Sequence, residues 1–448
     1  MPCPVQPSHR RLILFGRYPI PGKTKTRLIP ALGALGAAEL QRRLTEKSLA
    51  TILTPGRCPA PVEFCHTGDS HARVRRWLGP RALRLSRQKG RSLGERMRLA
   101  IYGAMDQGCR QVVLLGTDIP QLTPDHLEAA FDALTRTDIV LGPSRDGGYW
   151  MVGLRCKADI FQGIQWGGPH VLDQTMALAR KLGLTVSCLQ TLDDIDTEAD
   201  LINAMPSKKW RDPYLSVIIP CLNEEKSIGW VIQSVQSPDC EIIVADGGST
   251  DKSVAIGRAG GATVISGPPG RARQQNAGAA AASGKVLLFL HADTLLPPDY
   301  GGQVFDTLMD HRVVAGAFHF KTDYDHWAMR MIEKSVQLRS SLFQMPYGDQ
   351  ALFMPKAIFE KIGGFPSTPI AEDLYLVRRL GRLGRIALAP GAAVTSGRRW
   401  RNIGVWRTTL VNYMIAIGCI AGINPKKLAP LYRLWVRQRP SASLKTTQ

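Results

Sequence analysis

Short apolar runs bounded by glycine and polar residues recur along the whole chain. They occupy residues 11–16, 111–116, 215–220, 241–246 and 285–290. Within them branched and aromatic residues follow one another without polar alternation, the pattern of strands buried on both faces in a parallel sheet. Helical stretches separate them. One runs from Glu225 to about Ser237, an alanine-rich one from Arg271 is closed by Gly284, and another covers 374–383. Strands alternating with helices predict an α/β fold. Three of the strands run into an aspartate: Asp118, Asp246 and Asp293. An open α/β sheet binds its ligand outside the carboxyl ends of its strands, so Asp246 and Asp293 are expected to share one crevice. Carboxylates gathered there hold a divalent cation or a ribose, because an unpaired buried charge is costly.

At 448 residues the chain exceeds one ordinary core and predicts two domains. The prolines and charges of 204–214 mark the boundary. Residues 1–205 form a first domain, 206–214 a linker, 215–397 a second domain and 398–448 a basic extension. The nine cysteines lack metal-like spacing and read as reduced thiols. The first residues lack the apolar core of a secretion signal, so a cytoplasmic location is expected.

The net charge of +20 is unevenly spread, for no acidic residue follows Asp373. That tail seeks anions, whether phosphates, an anionic membrane face or nucleic acid, unless it is only a solvated basic surface. Without a recognisable reader motif, no nucleic acid is expected as a partner. Residues 408–425 are uncharged but short for a membrane span. They predict a helix that lies on the inner face of the cell membrane, lines an apolar acceptor groove, or packs against its own domain.

In the first half, the loop after the opening strand reads Gly22-Lys23-Thr24-Lys25-Thr26-Arg27-Leu28. A glycine turn rich in hydroxyls and cations ahead of a helix suits phosphate, although the Walker A spacing is absent. Thr197 and Asp200 fit a helix-capping box, and for Asp196 and Asp200 capping competes with metal binding. Together with Thr117-Asp118-Ile-Pro120, Gly142-Pro-x-x-Asp146-Gly147-Gly148-Tyr149 and Asp194-Ile-Asp196-Thr197, this loop resembles a family of uncharacterised GT-A-fold proteins similar to nucleotidyltransferases. The resemblance implies a nucleotide pocket with Lys23 and Arg27 on phosphates, Asp118 and Asp196 on a divalent metal, and Asp146 and Tyr149 beside the substrate. Tyr18-Pro-Ile-Pro-Gly22 replaces the glycine-rich opening loop of true nucleotidyltransferases.

In the second half, Ser216-Val-Ile-Ile-Pro220-x-Leu-Asn223-Glu224, Asp246-Gly-Gly-Ser249-Thr-Asp251, Arg273-x-x-Asn276-x-Gly278, His291-Ala-Asp293, Gly363-Gly364-Phe365 and Glu372-Asp373 follow in order. This succession resembles the family 2 glycosyltransferases. Tyr347-Gly-Asp349-Gln350 and Arg398-Arg399-Trp400 are similar to a subgroup associated with arsenosugar-type or carotenoid glycosylation. The resemblance implies two tandem GT-A domains with mixed, mostly parallel sheets flanked by helices, plus the helical basic extension.

It also implies an inverting, metal-dependent transfer from a nucleotide diphosphate sugar to a small-molecule or lipid-like acceptor. Asp373, with Glu372 beside it, would take the acceptor proton. Asp293 would hold Mg2+ or Mn2+ on the departing diphosphate. His291 stands where the family commonly has a second aspartate, and it is either a ligand or a structural histidine. Pro220, Asn223, Glu224, Asp246, Arg271, Arg273, Asn276, Asp349, Gln350, Arg398, Arg399 and Trp400 would bind the nucleotide sugar. The alternative places nucleotidyl transfer in the first half and makes the chain bifunctional.

Overall fold

The computed structural model describes residues 9–204, 210 and 212–436. Residues 206–209 and 211 of the expected linker, and 437–448 of the expected extension, lie outside the described residues. The chain divides into two compact units, Met1–Arg211 and Asp212–Gln448, each built on one sheet.

In the first unit the strands are β1 (Arg10–Arg17), β2 (Val62–Thr67), β3 (Leu83–Arg87), β4 (Gln111–Gly116), β5 (Ile139–Pro143), β6 (Tyr149–Leu154) and β7 (Val186–Cys188). They lie in the order β3-β2-β1-β4-β6-β5-β7. Neighbours are parallel except around β6, which is antiparallel to β4 and β5. The central pair buries Leu12, Ile13, Leu14, Val112, Val113 and Leu115 completely, which is why these strands read as continuous apolar runs.

The second unit contains β8 (Leu215–Cys221), β9 (Cys240–Asp246), β10 (Thr263–Ser266), β11 (Val286–Phe289), β12 (Thr294–Leu295), β13 (Val313–Thr322), β14 (Phe353–Pro355) and β15 (Arg385–Thr395). Their order is β10-β9-β8-β11-β14-β13-β15-β12, with β14 antiparallel to β11 and β13. Apart from the short edge strand β12, this repeats the first sheet strand for strand. Both units are thus α/β, each with a mixed, mostly parallel sheet flanked by helices as expected. In each, strand order reverses between the first and fourth strands, opening a crevice at their carboxyl ends.

The expected helices form with shifted ends. The alanine-rich helix covers Arg271–Ala281 and stops before Gly284. Gly284 serves a close approach instead, since a Cβ there would lie 2.4 Å from Ser216 Oγ. The helix expected at 374–383 spans Glu372–Leu380. Ala371 turns the chain into it with a left-handed backbone (φ 61), so Glu372 and Asp373 fall in the first turn, where the helix dipole favours negative charge.

Helices Trp327–Leu342, Arg398–Ile403, Val405–Ile420 and Pro425–Val436 belong to the second unit. The uncharged run 408–425 is thus the body of one helix followed by a turn at Gly422 (φ 87). Among the described residues no helix is long and apolar enough to cross a membrane.

Candidate functional site

In the second unit the loops leaving β8 and β9 are tied together. Cys221 and Asp246 are register partners at the ends of these strands. Asn223 takes a left-handed backbone (φ 54), held because its Oδ1 accepts from the Thr250 N–H at 2.8 Å and its own N–H donates to Ser249 Oγ at 2.9 Å. The buried Asp246 carboxylate accepts the N–H groups of Gly248 and Ser249, so it shapes the loop in which it stands. Pro220 pairs with Ala245 in the same register.

Charged side chains converge on this end of the sheet. Arg398 donates to both Glu224 oxygens at 2.9 and 3.2 Å and stands 3.8 Å from Asp293 Oδ2. Burial raises the Asp293 carboxyl, Glu224 adds to the effect, and Arg398 and Arg271 oppose it. Arg271 lies 3.7 Å from Glu372, whose carboxyl is raised by burial and by the Asp373 charge. Asp373 accepts the Gly348 and Leu374 N–H groups, each at 2.8 Å. A Cβ on Gly348 would sit 3.3 Å from both Asp373 Oδ2 and His291 Nε2, so the Asp373 carboxylate and the histidine flank one glycine.

His291 Nε2 is buried without a hydrogen-bond partner. Burial holds its imidazole neutral, with a pKa of about 3, and Arg271 adds to this. An unpartnered nitrogen of a neutral imidazole, with the Asp373 carboxylate across Gly348, suits a divalent cation, and Mn2+ takes imidazole more readily than Mg2+ does. Asp349 is pushed up to about 6 by burial, and its Oδ1 also lacks a partner.

Other expected binding residues are engaged within the fold. The Asn276 amide exchanges hydrogen bonds with the Phe365 backbone in both directions, at 2.9 Å each, and so fixes the Gly363-Gly364-Phe365 turn. Fully buried Gln350 bonds to Ser340 Oγ, the Tyr347 N–H and the Phe318 carbonyl. Arg399 donates to the Tyr432 hydroxyl on the last helix, and Trp400 packs against Phe320 of β13. Arg273 is exposed on the first turn of its helix.

The first unit arranges its charges differently. Asp118, just past β4, joins Asp194 and Asp196 in the one group of three acidic, His or Cys side chains close enough to share a metal ion among the described residues. Lys25, on a left-handed backbone (φ 47), sends its ammonium between Asp118 and Asp196 at 3.0 Å from each, and also donates to the Ile195 carbonyl. Burial works against that charge, yet the two carboxylates outweigh it and raise the lysine pKa. Asp194 is pushed up to about 7 by burial and then by Asp118, Asp196 and Asp146. Arg27 reaches Asp196 at 3.6 Å, whereas Lys23 is exposed.

Asp200 takes the capping role, accepting from the Asp196 and Thr197 N–H groups, while Asp196 turns to Lys25. Asp146 braces its own loop through Ser144 and the Gly148 N–H, and Tyr149 stacks edge-on to Trp166 at 6.2 Å. Lys25 and Asp194 sit inside the two motifs read from the sequence without being given a role there. Only the long-range meeting of the two motifs singles them out.

Residues 52–168 match a family described as an uncharacterized protein conserved in bacteria (DUF2064). Residues 216–363 match glycosyl transferase family 2. Over 116 residues the chain is 34% identical to phosphoenolpyruvate guanylyltransferase of Sphaerobacter thermophilus, covering 25% of this chain and 56% of that protein. Over 53 residues it is 43% identical to 4,4'-diaponeurosporenoate glycosyltransferase of Staphylococcus aureus, covering 11% of this chain and 14% of that protein. The chain thus spans less than two thirds of either relative. The crystal structure of a putative nucleotide-diphospho-sugar transferase from Desulfovibrio desulfuricans G20 is 35% identical, with a TM-score of 0.42, over 45% of this chain and 88% of that one.

Proposed function

We propose that, in this chain whose residues 52–168 match DUF2064 and 216–363 match glycosyl transferase family 2, the second unit transfers a sugar from a nucleotide diphosphate sugar to a hydroxyl-bearing small-molecule or lipid-like acceptor, with inversion. The observation that carries this reading is the pairing of Asp373, held by two backbone N–H groups, with the Asp293, Glu224 and Arg398 group at the same sheet end. Asp373 accepts the proton of the attacking hydroxyl, its two hydrogen bonds fixing the direction from which it does so. Asp293 and His291 would hold Mg2+ or Mn2+, which would supply positive charge to the leaving diphosphate. Arg271 and Arg398 exchange their present carboxylates for phosphate oxygens. Asn223 and the Asp246 loop receive the nucleoside.

The test is release of nucleoside diphosphate from a panel of nucleotide sugars with Mg2+ or Mn2+, together with the anomeric configuration of the product. Inverted product, lost in Asp373→Asn, supports the reading, and retained configuration contradicts it.

A second activity is favoured by the Asp118, Asp194 and Asp196 group: nucleotidyl transfer in the first unit. It predicts pyrophosphate release from a nucleoside triphosphate, sensitive to Asp118→Ala and untouched by Asp293→Ala.

A further inference from the structure

The helices Trp327–Leu342 and Val405–Ile420 lie against each other, joined by the Trp327 and Trp406 rings at 6.1 Å and by the Ser335 and Tyr413 hydroxyls at 3.2 Å. Their outer faces are apolar and open to water. Trp327, Leu338 and Leu342 on the first helix, and Trp406, Leu410 and Ile417 on the second, are each 56 to 66% exposed. On each helix these positions fall on one side at helical spacing, so together they form one continuous face. A monomeric soluble protein seldom leaves such a face uncovered.

Cations surround it. Arg407, Lys426 and Lys427 are exposed along its margin, Lys334 lies within the first stripe, and no acidic residue follows Asp373. A second copy seated on this face would set those cations against their own counterparts. An anionic lipid layer meets both features, taking the apolar side chains into its interface and the cations onto its headgroups.

Between the same helices lies a narrow recess of about 40 Å³ lined by Ile332, Val336, Tyr413, Trp400 and Asp349 among others. Its walls mix apolar side chains with Arg339, Thr409 and Asn412, and Trp400 Nε1 and Asp349 Oδ1 are buried there without hydrogen-bond partners. Asp349 follows Gly348, whose N–H holds Asp373, so the recess ends beside the proposed base. Buried polar atoms left unpaired beside this recess point to a ligand that brings its own hydroxyl or similar group.

We infer that the paired outer faces of these two helices dock on an anionic bilayer, and that the recess between them takes the polar end of an amphiphilic acceptor carried in that layer. This rests on the glycosyl-transfer reading only for the acceptor. The docking stands on the face itself.

The experiment is flotation of the full chain with vesicles of phosphatidylcholine alone or mixed in equal parts with phosphatidylglycerol. The wild type is expected to float only with the mixed vesicles and to be released by high salt. Leu410→Ser combined with Ile417→Ser, and separately Lys426→Glu combined with Lys427→Glu, are expected to lower the bound fraction by about tenfold. Both double variants should keep acceptor-independent release of nucleoside diphosphate at the wild-type rate, which shows that they are folded. Failure of the wild type to float, equal binding to neutral vesicles, unchanged binding by the variants, or a wild-type dimer that Leu410→Ser with Ile417→Ser dissolves would each overturn the docking. Loss of diphosphate release from the wild type itself would instead count against the catalytic reading.

Discussion

The two units place the same sheet in the same order, yet they balance charge at its carboxyl end in opposite ways. In the first, three carboxylates meet and a lysine from the opening loop stands among them, its side chain 4% exposed. In the second, Asp293 and Glu224 share their surroundings with a neutral histidine, and the counter-charges are arginines about half exposed on the rim. A buried ammonium between two carboxylates makes a closed set that a metal or phosphate must reorganise. Rim arginines on separate carboxylates can turn toward an incoming diphosphate at smaller cost, because exposed ion pairs contribute little. The difference teaches that the fold fixes where charge is delivered, while a few loop residues decide whether the site is satisfied internally or awaits its ligand.

The largest effect that would sharpen this contrast concerns the proposed base. Asp373→Asn keeps the shape and the Gly348 hydrogen bond but removes the proton acceptor, so kcat for transfer should fall by about 10²- to 10⁴-fold with little change in donor KM. Steady-state kinetics checks this, and a KM effect alone would reassign Asp373 to binding.

Next is Lys25→Met, which strips the first unit of its internal cation. Asp118 and Asp196 are partly exposed, so a loss of about 2 kcal/mol in stability is expected in chelator, smaller than for a fully buried pair. Added Mn2+ should restore much of it by binding the freed carboxylates. Thermal unfolding with and without metal measures both, and an unchanged melting temperature in chelator would break the contrast.

A comparable effect comes from pH. His66 is buried against His71, and burial lowers its pKa to about 4, with the His71 charge adding. The unfolded chain then binds more protons than the folded one between about 6.5 and 4, so the stability it supports is present above that window and lost as pH falls through it. The expected loss is on the order of 3 kcal/mol, seen in denaturant midpoints across that range. His66→Gln should flatten the dependence.

The smallest effect is expected at the rim. Arg398→Met should cost less than about 1 kcal/mol in stability, because its pairing with Glu224 is half exposed. A loss as large as that of Lys25→Met would erase the distinction between the two sites.

Much of this architecture was legible in the chain. Continuous apolar runs mark buried strands, and the aspartates after β4, β9 and β11 stand at their carboxyl ends because strand direction alone puts them there. The motifs of the second unit do meet at one sheet end. Partner choice was not legible. Asn276 and Gln350 look like ligand-binding amides in one dimension, but backbone groups 89 and 32 residues away engage them. Lys25 lies two residues from Lys23, and only the left-handed turn at residue 25 selects which of the two enters the site. Such pairings depend on loops brought together by tertiary packing, which local pattern does not encode.

The central claim is that sugar transfer belongs to the second unit. It is tested most directly by measuring nucleoside diphosphate release from nucleotide sugars for the wild type, Asp293→Ala and Asp118→Ala in the full chain. The account predicts turnover in the wild type and in Asp118→Ala, and its loss in Asp293→Ala. Turnover surviving in Asp293→Ala but lost in Asp118→Ala would contradict it and move the chemistry to the first unit.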